Sequence, residues 1–117
     1  MSTIIEKPWG QEEILVINDN FMVKKLTMNP GHQCSLQYHE KKREHITCLK
    51  GTLWIELPRG VIIRHVILKP GEEFYIQEKQ IHQMFNRTDK PCVYLECSDP
   101  YNEDVVRLED PYNRSAK

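Results

Sequence analysis

Residues 31–51 read G-H-Q-C-S-L-Q-Y-H-E-K-K-R-E-H-I-T-C-L-K-G. Between positions 37 and 44 stand an amide, an imidazole and a carboxylate: Gln37, His39 and Glu44. A strand alternates its side chains between two faces, so Gln37 and His39 leave one face and Tyr38 the other. The intervening E-K-K-R at 40–43 has the length of a hairpin loop, which would return Glu44 on an adjacent strand within reach of His39. His82, in the strand-like I-H-Q-M-F-N at 81–86, is the best remaining candidate for a fourth ligand. Gln37, His39, Glu44 and His82 make a mixed nitrogen and oxygen set for a divalent first-row metal: zinc first, with manganese, iron, cobalt and nickel as alternatives. One carboxylate against a divalent cation leaves the centre near plus one, a charge that attracts anionic or oxygen-rich ligands. Taken singly, a strand histidine is more often packed or surface-exposed than a ligand. The spacing has to carry the reading.

Working outward, short stretches of alternating or β-branched character recur between turn signals, and no long helix is expected. Candidate strands fall at 12–17, 21–28, 34–39, 44–49, 52–57, 61–68, 73–76, 81–86 and 92–97. N-D-N at 18–20, N-P-G at 29–31, P-R-G at 58–60 and K-P-G at 69–71 punctuate them. Eight or nine short strands in so short a chain predict an all-β sandwich or jelly-roll barrel. The matching turns at Pro30-Gly31 and Pro70-Gly71 hint at a pseudo-repeat. Residues 98–117 are acidic and proline-punctuated, and read as a surface extension that Val105, Val106 and Leu108 would pin to the body.

The chain of 117 residues fits one domain over 1–117, with a barrel core at about 12–97. With 39% hydrophobic and 28% charged residues it has the composition of an ordinary globular protein. Sixteen basic residues against seventeen acidic ones argue against a nucleic-acid binder. No apolar run approaches the roughly 20 residues of a membrane span. The N-terminus has neither the basic nor the apolar region of a secretory signal, so a cytoplasmic location is expected. The cysteines, Cys34, Cys48, Cys92 and Cys97, form no C-x-x-C pair and are expected as free thiols in the core.

The spacing of the first stretch is specific. Gly31, five residues, Gln37, one, His39, four, Glu44, six, then Gly51 resembles the first cupin motif, with glutamine at its usual first histidine. Gly71, His82 and Asn86 resemble the second motif, with Gln77 and Lys79 at its usual proline and glycine. Further stretches are E-K-P-W-G at 6–10, V-K-K-L-T-M-N-P-G at 23–31, S-L-Q-Y-H at 35–39, E-H at 44–45 and V-V-R-L-E-D-P-Y-N-R at 105–114. In that order they resemble the cupin domain of the type II mannose-6-phosphate isomerases, over nearly the whole chain. The resemblance implies a single-domain cupin barrel with both terminal arms packed on it. Where the family has Q-M-H-H-H-R-A-E-H-W, this chain has Q-Y-H-E-K-K-R-E-H-I, so Lys42 replaces an arginine thought to serve substrate and Ile46 an aromatic residue. No G-G-x-G-type nucleotide loop occurs, so guanylyl transfer is not expected of this segment by itself.

The activity implied is aldose–ketose isomerisation of a sugar phosphate through an enediol, with a metal acting on the sugar oxygens. Glu96, at a carboxylate position of the family, and His45 are the candidate bases, with Lys42 beside them. Phosphate would meet Arg107 first, then Lys42, Lys25 or Arg114. Trp9 and Tyr112 are expected to pack the two arms. The alternatives are a metal-dependent cupin of other chemistry (sugar lyase, epimerase or dioxygenase) and a non-catalytic sugar-binding cupin. A homodimer through paired edge strands is the expected assembly.

Overall fold

The computed structural model describes residues 3–101 and 103–114. Its elements are β1 (Thr3–Lys7), β2 (Gly10–Ile17), β3 (Met22–Met28), β4 (Leu36–Tyr38), β5 (Glu44–Lys50), β6 (Leu53–Arg59), β7 (Ile62–Leu68), β8 (Glu73–Ile76), β9 (Gln83–Phe85), β10 (Cys92–Ser98) and β11 (Val106–Glu109). One sheet runs β1-β2-β3-β10-β5-β8, a second β7-β6-β9, and a third is the pair β11-β4. All ladders are antiparallel. Among the described residues no helix is long and apolar enough to cross a membrane.

The sheets close on a core that follows the two-residue period. In β3 every even residue from Met22 to Met28 is buried; in β5 Glu44, Ile46 and Cys48 point inward; in β10 Cys92, Tyr94, Glu96 and Ser98 do the same. Leu53, Ile55 and Leu57 of β6 and Met84 of β9 meet this face from the second sheet. Three charged residues, Lys24, Glu44 and Glu96, therefore occupy core-facing positions.

The two P-G turns share one geometry. His32 N–H donates to the Asn29 carbonyl and Glu72 N–H to the Lys69 carbonyl, with Gly31 and Gly71 at φ 72° and 90°. Proline at the second and a positive-φ glycine at the third position are what a type II turn demands. Gly10 has a different constraint: a Cβ there would stand 1.9 Å from the Thr27 carbonyl oxygen, so the close approach of β2 to β3 requires its absence. Asn86, the buried last residue of the second motif, donates to the Met28 and Lys90 carbonyls at 3.0 and 2.7 Å and accepts from Thr88.

Several expectations are corrected. Strands 34–39 and 44–49 do not form a hairpin. β5 is flanked by β10 and β8, so both its edges are taken, and β4 pairs instead with β11. E-K-K-R thus crosses between sheets. β1 and β11 fall outside the nine expected strands, and each pairs with a strand of the barrel. Cys34, Cys48 and Cys92 are free and buried, whereas Cys97 is exposed on the outer face of β10. Trp9 is buried in the core, and Tyr112 packs against it.

Candidate functional site

His39 follows β4 directly, and Glu44 opens β5 on its inner face. His82 forms an isolated bridge with Gln37 through two backbone hydrogen bonds of 3.0 and 2.9 Å, which brings the second histidine beside the first stretch. All three charged or imidazole side chains are buried, and their ligand atoms lie within 4.8 Å of one another. The rings of His39 and His82 are 5.3 Å apart between centroids.

Hydrogen bonding orients both rings. His39 Nδ1 faces the Asp104 carbonyl and His82 Nδ1 the Gln80 carbonyl, at 2.9 Å in the second case. A carbonyl can only accept, so each Nδ1 carries a proton, and Nε2 is the atom each ring has left for a metal. Both Nε2 atoms are buried without a hydrogen-bond partner, and that of His39 lies against a Glu44 carboxylate oxygen. So close an approach of nitrogen and oxygen requires a cation shared between them, a proton or a metal ion. Burial also lowers the His82 pKa, which favours the neutral, ligating ring. Burial opposes ionisation of Glu44, but the Lys42 ammonium beside it outweighs this and holds its carboxyl well below the usual range. Gln37 lines the same cavity, its amide oxygen accepting from Ser35 Oγ at 2.7 Å. Cys34 also lines the cavity, but its thiol is not among the ligand atoms gathered within 4.8 Å and donates to the Ser35 carbonyl at 3.4 Å, so the gathered donor set is nitrogen and oxygen. These residues fit a divalent metal, held by His39, Glu44 and His82 with Gln37 as the further oxygen donor.

The centre opens on a cavity of about 600 Å³. Lys42 and Glu96 line it, with Lys42 Nζ 3.2 Å from Glu96 Oε2 and 3.4 Å from Glu44 Oε1. Burial disfavours the Lys42 charge, yet the two carboxylates more than offset this and raise its pKa above the ordinary value. Arg107 and Arg114 also line the cavity. Arg107 lies opposite Gln37 in the β11–β4 pair, and Arg114 makes a two-pronged contact with Asp110 at 2.8 and 3.2 Å.

Two expected residues lie elsewhere. His45 is on the outer face of β5, its side chain 42% exposed and paired with Glu73. Lys25 is on the outer face of β3, 44% exposed, 3.8 Å from Glu13. Its neighbour Lys24 is the cavity residue. The alternation was legible, since Met22, Leu26 and Met28 share the phase of Lys24. Asp104 was also missed. Its carboxylate accepts from the backbone N–H groups of Glu40, Lys41 and Lys42 at 3.1, 2.8 and 2.9 Å, while its carbonyl orients His39. Asp99 grips Arg43 of the same loop through the backbone N–H and the guanidinium. The C-terminal segment therefore shapes the loop that carries the site.

An antiparallel barrel with a buried two-histidine, one-carboxylate cluster facing its interior defines a cupin. Solved structures agree on the fold: the capsular polysaccharide assembling protein CapF of Staphylococcus aureus matches with a TM-score of 0.83 at 18% identity, over 93% of this chain and 32% of CapF. Oxalate decarboxylase of Bacillus subtilis, a protein with Mn(II) centres, matches with a TM-score of 0.78 at 20% identity, over 90% and 29% of the two chains.

Residues 1–110 match the family model described as Mannose-6-phosphate isomerase C-terminal, and the chain belongs to that family. The xanthan biosynthesis protein XanB of Xanthomonas campestris is 32% identical over 114 residues, and the mannose-1-phosphate guanylyltransferase ManC of Salmonella typhimurium 31% over 113. The alginate biosynthesis protein AlgA of Pseudomonas aeruginosa is 29% identical over 116 residues. These alignments cover 94–97% of this chain, which spans about a quarter of the length of each relative.

Proposed function

We propose that this chain is a metal-dependent sugar-phosphate isomerase, interconverting an aldose and a ketose phosphate, with mannose 6-phosphate and fructose 6-phosphate as the first pair to test. The observation that carries the reading is one cavity lined by His39 and Glu44, which gather with His82 behind them, and by the buried Lys42–Glu96 pair. When bound, a divalent ion supplies Lewis acidity towards the sugar oxygens. Glu96, on the inner face of β10, takes the proton from C2, leaving an enediolate, and returns it to C1 while the O2 proton passes to O1, so that the hydroxyl and the carbonyl exchange places. Lys42 holds that carboxylate in place at 3.2 Å and, with its raised pKa, remains a cation at neutral pH. The buried walls of Leu26, Met84 and Tyr94 keep bulk water from the reacting carbons. The names of the relatives tie them to xanthan and alginate biosynthesis. Supply of a hexose phosphate to polysaccharide synthesis fits that setting.

One observation favours a second reading, a sugar-phosphate-binding cupin without turnover: Glu96 is already engaged by Lys42. Proton NMR of the metal-loaded protein with mannose 6-phosphate in heavy water separates the two. Isomerisation exchanges the C2 proton and yields fructose 6-phosphate, and a Glu96→Gln variant that keeps its metal does neither. Binding without exchange in the wild-type protein would retire the isomerase.

A further inference from the structure

Five cations line the cavity, and their partners sort them. Lys42 stands between two carboxylates, Glu44 and Glu96. Arg114 has a carboxylate of its own in Asp110. Lys24 differs. It is 4% exposed, and its Nζ lies 3.2 Å from Glu12 Oε1. Glu12 is shared, since Lys7 lies 3.8 Å from its other oxygen. Lys7, Glu12 and Lys24 together leave one positive charge in the cavity wall.

Burying such a group contributes little to stability. Desolvation of a buried ion pair commonly cancels the attraction, so a lysine at a position phased for Leu or Met invites a functional account. Its placement supplies one. Lys24 lies directly opposite Glu96 in the β3–β10 pair, and opposite residues share a face with Cβ atoms about 5 Å apart. Arg107 stands on the other side of the cavity, opposite Gln37. Burial, with the neighbouring Arg114, lowers its pKa, while Asp110 and Glu12 act the other way. The cavity is thus acidic and metal-binding around Glu44 and Glu96, and cationic around Lys24 and Arg107. Glu103, exposed at the rim, is the further carboxylate in its lining.

We propose that Lys24, held by Glu12 in the cavity wall, is the anchor for the phosphate of the sugar phosphate, one strand away from the carboxylate that serves the reacting carbons. This rests on the sugar-phosphate reading above. One N–H of the ammonium goes to Glu12, and the others serve phosphate oxygens as charge-assisted hydrogen bonds. Glu12 orients the lysine and also competes with the phosphate for it.

That competition makes the proposal testable apart from a merely structural ion pair. The probes are inorganic phosphate, mannose 6-phosphate and mannose, titrated calorimetrically into the metal-loaded full chain. Lys24→Met weakens mannose 6-phosphate and phosphate binding by about 10- to 100-fold, the effect of one charge-assisted bond, and leaves mannose unchanged. Glu12→Gln tightens phosphate binding, the opposite sign, whereas a structural pair predicts that both variants weaken it. Lys25→Met, on the outer face, stays within about twofold of wild type. Should Lys24→Met fail to fold, the double variant Glu12→Gln/Lys24→Met removes both charges and makes the same prediction for phosphate. A folded Lys24→Met that binds mannose 6-phosphate like wild type overturns the anchor and leaves the substrate class standing. A wild-type protein that binds neither phosphate nor its ester overturns it as well. Lys24-dependent binding without C2 exchange sustains the anchor and retires the isomerase.

Discussion

The inner and outer faces of the large sheet put adjacent residues to opposite uses. On β5, Glu44 faces the barrel interior and its neighbour His45 faces solvent; on β3, Lys24 is inside and Lys25 outside; on β10, Glu96 is inside and Cys97 outside. Each pair is a single peptide apart. The inner member belongs to the cavity with the metal-ligand cluster, while the outer one meets a surface partner such as Glu73 or Glu13. Residue type therefore says little here, and phase within the strand decides the role. Each outer residue is a built-in control for its inner neighbour.

The largest contrast falls on the histidines. His39→Ala lowers metal affinity by more than about 100-fold, beyond what outer-sphere changes typically cost, while His45→Ala leaves it unchanged. Metal content after dialysis, by elemental analysis, reads this directly, and equal content in the two variants would break the comparison.

Next comes the carboxylate. Glu96→Gln slows C2 exchange by about 10²–10⁴-fold with metal retained, the usual worth of a positioned acid–base group, whereas Cys97→Ser keeps the wild-type rate. Loss of metal together with exchange would instead make Glu96 part of the metal centre.

A smaller effect sharpens the boundary of the site. Asp104→Ala frees the backbone of residues 40–42 and loosens His39, so metal affinity falls by about 10-fold while the melting transition stays cooperative. Rescue by Asp104→Asn would be partial, because an amide has one oxygen where the carboxylate uses two. An unchanged affinity in Asp104→Ala would show that the loop holds itself.

The smallest effect is a pH dependence from carboxylates outside the cavity. The hydrogen bond from Arg43 lowers the Asp99 pKa to about 2; at Asp110, burial acts against ionisation, but Arg114 and two backbone N–H groups bring it to about 2 as well. Both folded-state values lie below the ordinary 3.8, so the stability they contribute is present above that pH and is lost as pH falls towards 2. Asp99→Asn and Asp110→Asn should each flatten the acid limb of a thermal-stability profile between those values. An acid limb identical in the wild-type protein and both variants would assign it to other groups.

Much of this was legible in the sequence, for physical reasons that differ by region. Gln37, His39 and Glu44 stand at fixed intervals because two strand ends and one short crossing dictate them. The barrel followed from short strands and two type II turns that proline and glycine announce locally. What escaped was long-range. The E-K-K-R crossing has the length of a hairpin, and nothing within it tells that β5 already has two partners. β11 looked like an acidic tail because its pairing with β4 brings together residues about seventy positions apart in the chain. Asp104 looked like any other acidic tail residue, although its bonds reach back more than sixty positions to the loop. Lys24 is a different case. Its phase with Met22, Leu26 and Met28 was readable, and a lysine in an apolar row was itself the signal.

The inner-face cluster is proposed to hold a divalent ion through nitrogen and oxygen donors. X-ray absorption spectroscopy of the zinc-loaded protein tests it most directly. One zinc per chain, scattering from two imidazoles, and nitrogen or oxygen neighbours at about 2.0–2.2 Å are expected. A sulfur neighbour at about 2.3 Å, which would enlist Cys34, or the same spectrum in His39→Ala, would contradict it.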